Sequence, residues 1–286
     1  MKGVKNISYF EEHYQENMFV MHTKSMNYNM PLPHIHDGYE LHFTLTDDTV
    51  IQIDNTIYNA KAGSITVIND NEIHKTVAPQ GVMYERIVMG FRSAFVFDVG
   101  GNYPEVFMPF KKRYSGFSHC LHLEPEQKNT LYTMLLTAQS LLKDNNGYCA
   151  VLKQKLHLMQ ILIYVSELYI TSDNKLSVKR RSMSKRVSEI IQYIDQNLGN
   201  TLLLDDLVER FFTSKTSLIQ MFKDETLLTP NRYIAVRRIM KSREYILEGL
   251  PINVVCNLVG YNDPSSFTRV FKQVVGCTPK KYAERI

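Results

Sequence analysis

Two stretches near the C-terminus decide the fold: Leu204–Thr226, LDDLVERFFTSKTSLIQMFKDET, and Ile252–Val275, INVVCNLVGYNDPSSFTRVFKQVV. Each reads as a short apolar helix, a tight turn and a second helix whose first turn is polar. That is the pattern of a helix-turn-helix, in which the second helix enters a DNA major groove and its N-terminal residues meet base edges. Helix pairs are common, but two such patterns in succession, joined by one long helix, are hard to reach by chance. In the first, Leu218, Met221 and Phe222 take the buried positions, leaving Lys215, Thr216, Ser217, Ile219 and Gln220 outside. In the second, Phe267, Val270 and Phe271 turn inward, and Asn262, Ser265, Ser266, Thr268 and Arg269 turn outward. Gln220 can pair with adenine, Thr216 or Ile219 can meet a thymine methyl, and Arg269 can fork onto a guanine or a phosphate.

The flanking sequence is helical and well punctuated. Val187, Ile190, Ile191, Ile194 and Leu198 form one apolar stripe that Gly199 ends. Ser214 caps one helix, and Thr229-Pro230 starts a long one that Gly249 stops. Charge is unevenly spread within a net +4. Residues 1–172 carry 14 Lys+Arg against 17 Asp+Glu, a net −3, and residues 173–286 carry 19 against 12, a net +7. A basic C-terminal part beside an acidic N-terminal part points to a polyanion-binding module with a separate partner. The run Lys179–Arg181, in a polar linker, suits phosphate attraction.

The N-terminal part reads differently. Segments 39–45, 50–53, 57–60, 64–68 and 86–91 are rich in Val, Ile, Tyr, Phe and Thr, and Asp47-Asp48, Asp54-Asn55, Lys61–Gly63 and Asn69–Asn71 supply turns between the first four and after the last of them. Many short strands with regular turns predict a β-barrel or jelly roll. From about residue 125 the period becomes helical: Leu131, Met134, Leu135, Ala138, Leu141 and Leu142, then Leu152, Leu156, Met159, Ile163 and Leu168. These predict two antiparallel helices of about four turns each. Their stripes serve either a dimer contact or the chain's own barrel, and both readings stand at this point.

The fold class expected is therefore multidomain α+β. Residues 1–124 form an effector-binding barrel with an N-terminal arm, 125–171 a helical pair, 172–186 a basic linker, and 187–286 an all-α domain with two helix-turn-helix motifs. No run of 18 apolar residues and no secretory leader is evident, so no membrane partner and a cytoplasmic location are expected. Cys120, Cys149, Cys256 and Cys277 lack metal spacing and read as reduced core residues.

Residues 187–286 resemble the DNA-binding domain of the AraC/XylS family of bacterial transcription regulators. The resemblance is carried by Ser214-Lys215-Thr216-Ser217-Leu218, Met221-Phe222-Lys223, Gly260–Phe267 (GYNDPSSF), Arg269–Lys272 (RVFK), and Gly276–Pro279 (GCTP) with Tyr282. It implies seven helices, with the long middle one, around Arg238 and Ile239, spacing two recognition helices along one side of a duplex. Val208, Phe212, Leu227 and Leu228 depart from the family pattern, so the first motif is expected to pack or dock less regularly than the second. Ile219-Gln220 stands where Arg and Gln are often paired.

His34-Ile35-His36-Asp37-Gly38-Tyr39-Glu40, an HxHxxxE string, and His74, eleven residues after Gly63, resemble the two metal motifs of the cupin superfamily. Imidazole and carboxylate suit Fe, Mn, Ni or Zn. Asp47, Asn69, Asn71 and Ala78 depart from those motifs, and the regulator resemblance implies an organic effector, often a sugar. His34, His36, Tyr39, Glu40, His42 and His74 are thus the candidate effector residues, with no metal expected; were one held, His34, His36, Glu40 and His74 would be its ligands. Alternation puts Glu40 and His42 on one face of their strand. Tyr28, Phe43 and Tyr84 are further aromatics for a sugar ring. His22, His119, His122 and His157 read as satisfied structural groups. The arm, residues 1–33, is expected by family analogy to cover the ligand or the DNA-binding domain.

The function expected is a sequence-specific, ligand-responsive DNA-binding regulator, not an enzyme. Double-stranded DNA, a small-molecule effector such as a sugar, a second copy of the chain and, for an activator, RNA polymerase are its partners. Two rivals are a metal-dependent cupin enzyme fused to a DNA-binding domain, and a DNA binder without an effector.

Overall fold

A computed structural model describes residues 17–30, 33, 35–36, 38–54, 56–70, 72–100, 103–111, 117–144, 146–171, 180–182, 184–226, 228–275 and 277–284. The chain divides into two compact units, Met1–Arg181 and Ser182–Ile286.

The first unit is built on two antiparallel sheets. Its strands are β1 (Met18–Met26), β2 (Tyr39–Thr44), β3 (Thr49–Ile53), β4 (Thr56–Ala60), β5 (Ser64–Ile68), β6 (His74–Val77), β7 (Met83–Phe91), β8 (Cys120–His122) and β9 (Arg180–Ser182). One sheet runs β1-β7-β2-β5-β8 and the other β6-β3-β4-β9. The predicted turn residues Asp48 and Asp54 sit at positive φ, 54° and 42°, where Asp is better tolerated than most side chains.

Register fixes what each face does. His42 lies opposite Thr66 and Val88, and Thr44 opposite Ser64 and Arg86, so these share one face with Glu40. The intervening residues Tyr39, Leu41, Phe43, Ile65, Val67, Ile87 and Met89 make the other face, which forms the main core with two long helices, α3 (Pro125–Lys143) and α4 (Ala150–Thr171). Two shorter helices precede them, α1 (Ser93–Gly100) and α2 (Met108–Lys111). The first face turns to the second sheet: Ile51, Ile53, Tyr58 and Ala60 meet Ile68 and Cys120 in one apolar cluster. Glu40, His42, Thr44, Thr66 and Arg86 are buried beside it.

Several expectations need correction. Residues 18–26, assigned to a covering arm, are a strand paired along its whole length with β7; residues 1–16 lie outside the described part. Arg180–Ser182, assigned to the linker, is a strand at the edge of the second sheet. The long helices have 19 and 22 residues, more than four turns; Pro125 starts α3 well before its first stripe residue, Leu131, and α4 runs on past its last, Leu168, to Thr171. The stripe assigned to α4 is divided: Met159 and Leu168 are buried, whereas Leu152, Leu156 and Ile163 are exposed. Leu158, Ile161, Leu162, Val165 and Tyr169 supply the rest of the buried face. Cys149 is exposed, unlike the other three cysteines.

The second unit holds seven helices among the described residues: α5 (Lys185–Gln196), α6 (Leu204–Arg210), α7 (Lys215–Thr226), α8 (Pro230–Leu247), α9 (Ile252–Leu258), α10 (Pro264–Val275) and α11 (Pro279–Ala283). Val187, Ile190, Ile194, Leu207, Leu218, Phe222, Ile239, Val255, Phe267 and Phe271 are fully buried. Each such aliphatic or aromatic side chain contributes about 1.5–3 kcal/mol on burial. The long helix α8 ties the ends together. Arg237 forms a two-pronged pair with Asp195 on α5, and Arg238 donates to the carbonyls of Leu198 and Asn200 beyond the end of α5. Met221 and Val270, expected in the core, are half-buried, and Val274 takes an inner position on α10.

Candidate functional site

In the first unit, Glu40 projects from β2 into the space between the sheets, where His36 and His74 meet it. His36 Nε2 lies 3.2 Å and His74 Nε2 4.0 Å from the same carboxylate oxygen, Glu40 Oε2. Each ring is oriented from behind by a backbone carbonyl: His36 Nδ1–H donates to Gly38 O at 2.9 Å, and His74 Nδ1–H to Glu72 O at 3.1 Å. That fixes the tautomers and turns both Nε2 atoms toward the carboxylate. The three ligand-type atoms lie within 4.8 Å of one another, and all three residues are buried. A lone pair held as close to an ionised carboxylate as the 3.2 Å of His36 Nε2 favours a positive centre between them, a proton or a metal ion.

Burial dominates the titration here. It pushes the His42 imidazole down to about 4 and that of His74 down to about 3, outweighing the attraction of Glu40, so both are neutral near pH 7. Burial alone would raise the Glu40 carboxyl, but the hydrogen bond to His36 and the surrounding histidines hold it well below the usual carboxylate range. Tyr84 OH and His42 Nε2 are 2.8 Å apart, and burial raises the Tyr84 phenol strongly.

Of the residues proposed from sequence, His36, Glu40 and His74 come together, with His42 on the same face. His34 lies outside the described residues. Tyr39 is removed from the set: neighbouring strand residues face opposite ways, and Tyr39 packs on Phe91, Phe107 and Phe110 in the core under the helices. Phe43 lies in that same core. The other histidines among the described residues carry structural bonds, His22 to Glu85, His119 to Tyr58 and Glu72, His122 to Ser64 and His157 to Met134 O. Thr66 and Arg86 were not proposed. Alternation along β7 from Tyr84 would have put Arg86 on the inner face, but a charge in a strand ordinarily reads as solvent-facing.

In the second unit the two helix-turn-helix motifs are built alike. After α6, Phe212 N–H reaches Glu209 O and Thr213 N–H reaches Val208 O; after α9, Gly260 N–H reaches Asn257 O and Tyr261 N–H reaches Cys256 O. These are the paired terminal bonds of a helix closed by a left-handed residue. Gly260 has φ +79° and Phe212 +47°. Of the four departures expected to make the first motif pack or dock less regularly, Val208, Phe212, Leu227 and Leu228, Phe212 leaves the turn itself unchanged and takes the glycine conformation. Ser214 Oγ then accepts from Ser217 N–H, and Asp263 accepts from Ser265 and Ser266 N–H, which caps α7 and α10.

The proposed reading residues lie on the outside. Lys215, Thr216, Ser217, Gln220, Asn262, Ser265 and Arg269 are exposed, and Ile219, Ser266 and Thr268 half-exposed. Two are held by neighbours: Lys215 pairs with Asp205, and Gln220 donates to Asp224.

Comparison with known proteins follows the same division. A family model described as an AraC-like ligand binding domain matches residues 17–135, and one described as a helix-turn-helix domain matches residues 207–285. The Msm operon regulatory protein of Streptococcus mutans is 30% identical over 135 residues, 44% of this chain and 48% of that protein. The match thus spans less than half of that relative's length. The multiple antibiotic resistance protein MarA of Escherichia coli is 30% identical over 105 residues, 36% of this chain but 83% of MarA. An apo form of ToxT from Vibrio cholerae aligns over 94% of this chain and 97% of its own, at 14% identity and a TM-score of 0.40. No helix among the described residues is long and apolar enough to cross a membrane. A relative matched over most of its length, and two family models that fall in order on the two units, place this chain in the AraC family of transcription regulators.

Proposed function

We propose that this chain is a sequence-specific DNA-binding regulator that works as a homodimer and responds to a small polar molecule held between the sheets of its first unit. The observation that carries the DNA reading is the repeated turn geometry, which presents two capped helices with polar, exposed first turns in the part of the chain with a net charge of +7. Effector control requires that the ligand bind DNA-competent and incompetent states with different affinity. A buried interior of imidazole, carboxylate, hydroxyl and guanidinium groups suits a hydrogen-bonding effector such as a sugar or sugar derivative. Activation, with RNA polymerase as partner, follows from the family alone. Selection of bound sequences from a random duplex pool by the full chain tests the reading: an enriched motif supports it, and salt-insensitive or motif-free binding contradicts it.

Dimerisation is proposed through α4. Leu152, Leu156, Ile163 and Ile170 form an exposed apolar stripe, with a seven-residue repeat from Leu156 to Ile170, on the side away from the core. An isologous pairing of this stripe with that of a second copy would cover it.

A divalent metal at His36, Glu40 and His74 is a second reading. It is favoured by the two Nε2 atoms aimed at one carboxylate oxygen and oriented by backbone carbonyls. Metal analysis of protein purified without chelator, against His36→Ala, decides it: one equivalent lost in the variant supports a metal, and none in the parent contradicts it.

A further inference from the structure

Arg86 is the charged group that neither the fold nor the metal reading uses. It is only 8% exposed and lies on β7 opposite Thr44, on the inward face. A guanidinium cannot shed its proton to escape burial, so it needs partners. Two aromatic rings cover it, its central carbon lying 4.0 Å from the centroid of Tyr28 and 4.7 Å from that of Tyr84. Among the described residues its one hydrogen bond is a long one, from Nη1 to Ser25 Oγ at 3.4 Å. Among the described residues no carboxylate pairs with it. Glu40 is four residues along β2 from Thr44, roughly 13 Å by strand rise, and is engaged with His36 and His74.

Two more buried polar atoms lie on this face: His42 Nδ1 lacks a protein partner among the described residues, and Thr66 Oγ1 has only the Cys120 thiol beside it. His42 and Thr66 are cross-strand neighbours. Tyr84, whose ring touches the guanidinium, is bonded to His42 through its hydroxyl, so the three form one contiguous surface. The tyrosine rings cover the guanidinium broadly, which leaves N–H donors at its edge, the geometry that grips an oxyanion.

We propose that Arg86 receives a carboxylate of the effector, and that His42 and Thr66 bond its neighbouring hydroxyl groups, so that the ligand is a small hydroxylated carboxylic acid. This rests on the reading of the interior as the effector site. One guanidinium balances one carboxylate, whereas a phosphate dianion would leave excess negative charge in an interior that already holds ionised Glu40. A sugar acid meets the requirement and a neutral sugar does not.

The test uses the full chain and small probes at constant ionic strength: formate, its neutral analogue formamide, and inorganic phosphate. The readouts are the Arg86 Nε–H resonance, assigned by its loss in Arg86→Lys, and the melting temperature. Formate is expected to shift the resonance saturably at roughly millimolar concentration, the range for a single charged contact, with formamide inert and phosphate weaker. Arg86→Lys, which keeps the charge, should still be stabilised by formate, and Arg86→Gln should need at least about tenfold more. No saturable response, an equal response to formamide, an undiminished response in Arg86→Gln, or tighter binding of phosphate would each overturn the proposal. DNA affinity recorded with and without formate separates the two claims. Binding that leaves DNA affinity unchanged contradicts the effector role and keeps the site; a ligand that alters DNA affinity without needing Arg86 does the reverse.

Discussion

Phe212 and Gly260 hold the same place in the two helix-turn-helix repeats, and the two residues meet it at different cost. At Gly260 an added Cβ would sit 2.7 Å from Leu198 O, a backbone atom that cannot yield. Phe212 carries its side chain into solvent, 91% exposed, and so suffers no such clash, but its left-handed backbone remains strained. Phe212→Gly should therefore stabilise the second unit by about 0.5–1 kcal/mol, the left-handed penalty less glycine's added chain entropy. Gly260→Ala should destabilise it. Thermal melts of the full chain check both, and a loss of stability in Phe212→Gly contradicts the strain. Arg269 is exposed and makes no ion pair among the described residues, so Arg269→Ala should leave the melt unchanged and weaken DNA binding by about 1–3 kcal/mol if it forks onto a base; unaltered affinity and footprint remove it from the interface. The buried histidines give a pH dependence whose sign is fixed. Folded values of about 4 for His42 and about 3 for His74 lie below the ordinary 6.5, so the unfolded chain takes protons first as pH falls. The stability is complete above about pH 6.5 and is lost toward those folded values, by about 1.4 kcal/mol per pH unit and group. Melts in chelating buffer from pH 7.5 to 5 should show the first unit weakening, less so in His42→Asn; a flat profile contradicts neutral burial.

At the scale of elements, legibility followed length and face. Strands β2, β3, β4 and β5 were legible because β-branched and aromatic runs ended at Asp, Asn and Gly, and part of β7 through its own apolar run, Ile87–Phe91. Strand β1 was not: MFVMHTKSM alternates only weakly, and its long pairing with β7 is what makes it a strand. Strands β6 and β8, of four and three residues, are too short to show a period. The helices of the second unit were legible through their caps, Ser214, Thr229 and Asp263. On α4 periodicity found apolar residues but could not sort them, since two faces are apolar and only packing shows which one the chain's own core takes. The other face carries the dimer expectation. Leu156→Glu with Ile163→Glu should give a monomer by sedimentation with helix content intact, because both side chains are exposed. A parent chain that is monomeric at micromolar concentration, or a double variant that still pairs, contradicts it.

At the scale of the molecule, the net −3 of residues 1–172 against the net +7 of residues 173–286 points to two separate tasks, and the two units carry them. The interior chemistry was only half legible. The HxHxxxE string announced His36 and Glu40; Arg86 was open to alternation along β7 but reads as a solvent-facing charge, and Thr66 became visible only when register placed it beside His42. Recognition of DNA by the paired helices α7 and α10 is the claim on which the rest depends. Hydroxyl-radical footprinting of the full chain on its selected duplex, at two salt concentrations, measures it directly. Each protomer should protect two segments about 10 base pairs apart, one for each recognition helix, with affinity that falls steeply as salt rises. A single protected segment per protomer, or protection indifferent to salt, would contradict it.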